Sequence, residues 1–247
     1  MNIALRGRVN RWAMNEHPRS TVARAEDRFA VGDSRLAWEG DTLAIQLNER
    51  TAPFPGWIRG SLRVRPEAFN RRAFALDLAG RHRWWPIAPF ATVEATFEEP
   101  RLRFSGRAYL DSNWGKEPLE HGFAGWNWSR SDLKDRTVVH YITDELDGGR
   151  RARAFDFDRS GDAIDRDPLS PMVLPKTGWR VAREAVADPG TQPEVIEGLE
   201  DTPFYSRQRI RHRVDGEWVE AIHESLDLKR FDRRWVQTLL PFKTKRF

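Results

Sequence analysis

The sequence predicts an antiparallel all-β protein, and three observations carry that prediction. Apolar residues recur at period two along many short runs. Turn-forming residues separate those runs. Few windows repeat apolar residues at i, i+3, i+4 and i+7, as an amphipathic helix requires.

The runs follow in order. Leu43, Ile45 and Leu47 alternate with Ala44 and Gln46. Val93, Ala95 and Phe97 alternate with Thr92, Glu94 and Thr96, and Leu102 and Phe104 with Arg103 and Ser105. Val138, His140 and Ile142 face away from Val139 and Tyr141, and Trp218, Ile222 and Leu226 share a face in the run Trp218 to Leu228. Between the runs lie Glu39-Gly40-Asp41, Glu98-Glu99-Pro100, Asp147-Gly148-Gly149, Ser160-Gly161-Asp162 and Val214-Asp215-Gly216-Glu217. Gly, Pro, Asn and Asp supply the backbone angles that tight turns need. Many short strands at this spacing point to sandwiches or barrels.

The 247 residues suffice for one large domain or two small ones. Gly115 to Asp135 breaks the alternation and holds Pro118, Gly122 and Gly125. A boundary is expected there, giving domains 1–122 and 123–247. A second irregular stretch, Arg166 to Pro203, holds six prolines and reads as a long excursion in the second half.

Composition excludes several classes. Cysteine is absent, so there is no disulfide framework and no thiolate metal site. There is no apolar run of the roughly 18 residues that span a bilayer. No secretory signal pattern opens the chain. The 41 basic and 37 acidic residues, a net charge of +4, interleave instead of forming the basic stripe of a nucleic-acid binder. The one basic cluster is Lys243-Thr244-Lys245-Arg246, a ragged charged end or, in the minority reading, a contact for an anionic membrane surface. The eleven Trp and fourteen Phe stand against three Tyr. Such faces suit an apolar ligand or a cation forming beside it, although for any single Trp the core is the commoner place.

The chemistry concentrates between His82 and Asp111. In an extended segment, His82 and Trp84 point one way and Arg83 and Trp85 the other. Pro86 is expected to end that strand or mark an edge. Tyr109 and Asp111 share a face of the run Arg107 to Asn113. With Val93 to Phe97 between them, a three-stranded meander is expected to bring both segments into one sheet. A carboxylic acid walled by aromatic rings is disfavoured as an anion. It can stay protonated and act as a general acid. A Trp face can stabilise a developing cation, and a His can orient the acid or hold a water. Against this, same-face pairs are common on strands, and a lone His or Asp usually serves hydrogen bonding. No metal is expected, because His82 and Asp111 offer only two ligands and no His-x-His or His-Glu-x-x-His is present. Nucleophile-elbow, phosphate-loop and dinucleotide fingerprints are absent too.

At these residues the chain resembles the carotenoid 1,2-hydratase family, also called hydroxyneurosporene synthases. The similar segments are His82-Arg83-Trp84-Trp85-Pro86-Ile87-Ala88-Pro89, Gly106 to Asn113, Pro118-Leu119-Glu120 and Trp126-Asn127-Trp128-Ser129-Arg130, with Arg11-Trp12-Ala13-Met14 upstream. The similarity is densest from Gly80 to Arg130. The resemblance implies two tandem lipocalin-like antiparallel β-barrel domains. It implies addition of water to the terminal 1,2 double bond of acyclic carotenoids such as neurosporene and lycopene, with no redox cofactor. It places the family's critical residues on His82, Trp84, Tyr109 and Asp111, with Asp111 as proton donor. Family members carry an aromatic-rich segment upstream of the position of Asn2, so the first barrel is expected to lack a strand.

The implied reaction is short. Asp111 protonates C2, a tertiary cation forms at C1 between Trp84 and Tyr109, and water held by His82 or Asp111 captures it. The competing reading is a lipid- or terpenoid-binding relative, or one that cyclises terpenoids. A pure binder needs no acid beside its ligand, which favours the hydratase. The expected partners are the carotenoid and a membrane surface, with no nucleic acid. The expected location is cytoplasmic, peripheral to the inner membrane.

Overall fold

A computed structural model of the chain describes residues 1–52 and 54–239. The basic cluster Lys243 to Arg246 lies outside the described residues. The chain divides into two compact units, and the division is not contiguous in sequence. One holds Met1–Glu67 and Phe90–Tyr109, the other Ala68–Pro89 and Leu110–Val236. The position between residues 122 and 123 falls inside the second unit.

In the first unit, β1 (Asn2–Leu5) and β2 (Arg11–Met14) form a hairpin. Strands β3 (Val22–Arg24), β4 (Arg28–Val31), β5 (Ser34–Glu39), β6 (Thr42–Arg50) and β7 (Trp57–Pro66) follow. Next come β8 (Phe74–Ala75), which belongs to the second unit, and β9 (His82–Glu99) and β10 (Leu102–Gly115), each divided between the two units. The strand order is β10-β9-β7-β6-β5-β4-β3. Ala13, Ile58, Ala95 and Phe97 form a core, with Ile3, Leu5, Leu47, Leu62 and Leu102 packed against it. These are the inward halves of alternating strands, as the period of two requires.

The second unit adds β11 (Phe123–Asp132), β12 (Thr137–Glu145), β13 (Arg150–Phe157) and β14 (Ala163–Arg166). It continues with β15 (Pro171–Leu174), β16 (Arg183–Val186), β17 (Glu194–Asp201), β18 (Tyr205–Val214) and β19 (Glu217–Asp227). Its sheet runs β14-β13-β12-β11-β19-β18-β17, and β15 pairs with β16. Short helices α1 (Leu228–Phe231) and α2 (Arg234–Leu239) follow, α1 capped by the Asp227 carboxylate on the Arg230 amide at 2.9 Å. The β18–β19 turn places Asp215 and Gly216 at φ 52° and 83°, the positive pair that a two-residue type I′ hairpin needs.

The all-β class is as the sequence predicts, while the expected barrel closure is not found. Among the described strands both sheets are open ladders, ending in β10 and β3 or in β14 and β17. Three of those ends are protected as open edges usually are. β3 and β14 are short, and β17 carries Glu194, Glu197, Glu200 and Asp201.

Three local expectations also change. The meander is a hairpin, because β9 runs unbroken from His82 to Glu99, through Pro86 and Pro89. Beyond the short pairing with β8, the Ile87 carbonyl accepts from the Asn70 amide at 2.9 Å. An irregular segment faces the prolines there, so no ladder donor is missed. Gly115 to Asp135 contains strand β11, whose Trp126, Asn127, Trp128, Ser129 and Arg130 alternate after all. The excursion from Arg166 to Pro203 contains β15, β16 and most of β17.

Candidate active site

Segment 68–89 carries the first half of the site. Phe74 on β8 stands opposite Trp84 on β9, and Ala75 opposite Arg83. Asn70 ties the preceding loop down: its side chain bridges to Arg72, and its carbonyl accepts from Trp85 Nε1 at 2.7 Å. Along β9, His82, Trp84 and Pro86 are buried, while Arg83 is exposed and Trp85 half-buried. His82 and Trp84 therefore share the inner face.

Trp84 is fully buried. Its indole lies 5.6 Å from the rings of both Phe74 and Phe155, and meets Tyr141 edge-on at 5.7 Å and Phe157 at 6.3 Å. Its one polar atom, Nε1, donates to Oδ2 of Asp111 at 2.9 Å. A buried indole N–H needs such an acceptor. Asp111 is half-buried on β10, and Tyr109, also half-buried, sits two residues earlier on the same strand.

His82 is arranged differently. Its Nδ1 lies 3.0 Å from Oδ2 of Asp77, and its Nε2 lies 3.2 Å from the Glu117 carbonyl. Both ring nitrogens thus face acceptors inside the protein. The ring packs on Phe123 at 4.9 Å. It also fills space left open by two glycines. A Cβ at Gly115 would fall 2.6 Å from the ring, and one at Gly122 would fall 2.7 Å from it. The ring is a fixed strut between β9 and the turn before β11. Burial pushes the Asp77 carboxyl up. Hydrogen bonds from the His82 ring and the Arg81 and His82 amides, with the His82 charge, more than offset that and hold it below the usual carboxylate range.

The sheet supplies the remaining wall. Tyr141 on β12, Trp128 on β11 and Glu224 on β19 stand opposite one another in register. Trp126 lies 6.2 Å from Tyr141. Burial, with the charges of Asp111 and Glu224, pushes the Tyr141 phenol far above its usual range. Among the described residues no three His, Cys, Asp or Glu side chains converge as a metal site.

The structure therefore joins Trp84 to Asp111 directly and gives His82 its own partners. Sequence reasoning missed Asp77, Tyr141 and Glu224. Asp77 lies in a stretch without periodicity. Tyr141 was visible as the alternate face of β12, and Glu224 as a polar residue on the otherwise apolar face of Ile222 and Leu226.

The site of this all-β chain is thus a carboxyl group hydrogen-bonded to a buried indole within an aromatic wall. The chain belongs to the carotenoid hydratase family: the family model described as carotenoid hydratase CrtC matches residues 1–247. It is 44% identical over 248 residues to the acyclic carotenoid 1,2-hydratase of Thiocapsa roseopersicina, covering all of this chain and 61% of that protein. It is 40% identical over 250 residues to the enzyme of the same name from Rubrivivax gelatinosus, again covering 61% of it. The chain thus spans about 61% of the length of these two relatives. It is 35% identical to the enzyme of the same name from Rhodobacter capsulatus and covers 88% of it. Among solved structures, a Nitrosomonas europaea protein assigned as AttH matches with TM-score 0.58 and 14% identity, over 89% of this chain and 76% of that one. That likeness concerns the fold.

Proposed function

We propose that the chain adds water across the terminal 1,2 double bond of an acyclic carotenoid such as neurosporene or lycopene, without a redox cofactor. The hydrogen bond from Trp84 to Asp111, inside the wall of Phe74, Tyr141, Phe155 and Phe157, is the observation that carries this reading. Family membership supports it.

In the proposed reaction Asp111 enters protonated and gives its proton to C2. The cation that develops at C1 is tertiary, and the π faces of Trp84 and Tyr109 stabilise it. Water attacks C1, and loss of one proton from the bound water restores the acid. Trp84 holds the carboxyl group in one orientation throughout, which is where general acids gain their advantage. His82, with both nitrogens occupied by Asp77 and Glu117, contributes by fixing the strand that bears Trp84.

The substrate dissolves in membranes, so the protein is proposed to work on the cytoplasmic side, peripheral to the inner membrane. Among the described residues no helix is long and apolar enough to cross a membrane.

The test is product analysis with lycopene. The wild-type protein is expected to yield a carotenoid heavier by one water, and Asp111→Asn to lower that yield about 100-fold or more. Full hydration by Asp111→Asn would remove Asp111 from the mechanism. Carotenoid bound but unchanged by the wild type would make the protein a binder.

A further inference from the structure

A side-chain file crosses the second unit's sheet on the face that meets Trp84. Tyr141 stands opposite Trp128, Trp128 opposite Glu224, and Glu224 opposite Arg207. Directly opposed residues of antiparallel strands project to the same side. The file starts where Tyr141 meets the Trp84 indole, which holds Asp111. It therefore carries a second carboxyl group toward the same aromatic wall.

We propose that Glu224 is the catalytic base of the hydration, accepting a proton from the water that attacks C1 while Asp111 supplies the proton to C2. The inference rests on the hydratase reading.

The surroundings of Glu224 fit this role. Arg207 Nε lies 3.4 Å from Glu224 Oε1, and the Tyr205 hydroxyl donates to the same carboxylate. Both favour the ionised form, which a base must have before the reaction. Burial pushes the carboxyl up, and the nearby negative charges of Asp111 and Glu200 add to this, against the pull of Arg207 and Tyr205. Such a carboxylate has more affinity for a proton than one in water. Asp111 and Glu224 also both act on the Tyr141 phenol. Two carboxyl groups that feel each other resist ionising together, which favours one protonated and one ionised member. An acid and a base are then available at once.

The balance closes. Asp111 loses its proton to C2 as the π bond becomes a C–H bond. A lone pair of water forms the C–O bond at C1. Glu224 takes one water proton, leaving the tertiary alcohol. Transfer of that proton from Glu224 to Asp111 restores the starting state.

The test combines kinetics with a titration that needs no turnover. Glu224→Gln is expected to lower kcat for lycopene hydration about 100- to 1,000-fold, with KM nearly unchanged. The wild-type rate should fall at low pH as Glu224 protonates, and residual Glu224→Gln activity should lose that limb. Glu224→Asp keeps a base and should recover part of the rate. Activity of Glu224→Gln within twofold of wild type, with the acid limb intact, would overturn the proposal and leave the hydratase reading standing. Independently of turnover, δ-carbon-labelled glutamate should show Glu224 titrating at lower pH in Asp111→Asn than in wild type. An unmoved titration would show that the carboxyl groups do not share a proton, and would overturn the pairing.

Discussion

Nε1 of Trp84 donates a 2.9 Å hydrogen bond to Oδ2 of Asp111. The bond does two things. It satisfies the only polar atom of a fully buried indole, and it fixes the direction of a half-buried carboxyl group. Trp84→Phe keeps an aromatic face and removes the donor. Hydration should fall roughly 10- to 100-fold, since misplacement of a catalytic group by an ångström carries losses of that order. Carotenoid affinity, read by quenching of tryptophan fluorescence, should change much less. Trp84→Ala should also empty the wall and cost about 3–5 kcal/mol of stability in urea unfolding. Hydration by Trp84→Phe at the wild-type rate would reduce Trp84 to packing.

Asp77 makes a prediction about pH. Its side chain is essentially inaccessible and lies against the His82 ring, the Arg81 amide and, at 3.6 Å, the Arg81 guanidinium. Its native-state affinity for protons is lowered, so its stabilisation is complete above the unfolded value near 3.9 and is lost as pH falls through the native value. Asp77→Asn should destabilise the protein by about 3 kcal/mol near pH 7, and by progressively less below pH ~4. Urea midpoints at pH 7 and pH 3 test this. An equal loss at both pH values would mean that the Asp77 charge contributes nothing.

Gly122 tests the strut. A methyl group there would fall 2.7 Å from Cε1 of His82, and the ring is held at both nitrogens and against Phe123. Gly122 has φ of −107°, so alanine suits the backbone and only the close contact opposes it. Gly122→Ala should cost about 1–3 kcal/mol through overpacking and lower hydration by moving β9. Gly148, at φ 92° with open space around its Cβ position, is the contrast: alanine there strains the backbone and should leave hydration unaltered.

Much of this was legible in the residue pattern, for physical reasons. A strand with one wet face shows its period, so β6, β10 and β19 were readable. So was the sharing of one face by His82 and Trp84. Strand β12 is buried on nearly every residue, and only the positions of its apolar residues remained visible. β11 was hidden by Gly122 and Gly125, although its alternation of Trp with Asn and Ser was present in the sequence. Pro86 points to a strand end or an edge, and β9 continues through it because an irregular segment lies beside it there. Long-range partnerships were not legible. Thirty-five residues separate His82 from the Glu117 carbonyl, and strand order alone brings Tyr141, Trp128 and Glu224 into one file. Local periodicity carries no information about strand order.

The other face of that sheet predicts acid sensitivity. His140, His212 and His223 are each buried there, at 2%, 0% and 1% exposure. His212 accepts from or donates to Ser131 Oγ at 2.7 Å and donates from Nδ1 to the Val186 carbonyl at 2.6 Å, a pairing that suits the neutral ring. His223 faces the Glu184 carbonyl at 2.8 Å and the Gln208 amide. Both nitrogens of His140 lack a hydrogen-bond partner in the structure. Burial pushes His140 down to about 3 and His223 to about 4, and it lowers His212 as well. The unfolded chain binds protons at these residues near pH 6.5 and the native chain only well below it. Stability is therefore greatest above pH ~6.5 and falls as pH drops toward 4, by up to about 1.4 kcal/mol per pH unit for each histidine. His140→Leu removes one of the three buried rings and should flatten this slope by about one third between pH 6 and 4. Guanidinium unfolding at half-unit pH steps measures the slope, and an unchanged slope in His140→Leu would mean that His140 binds protons equally in the native and unfolded states.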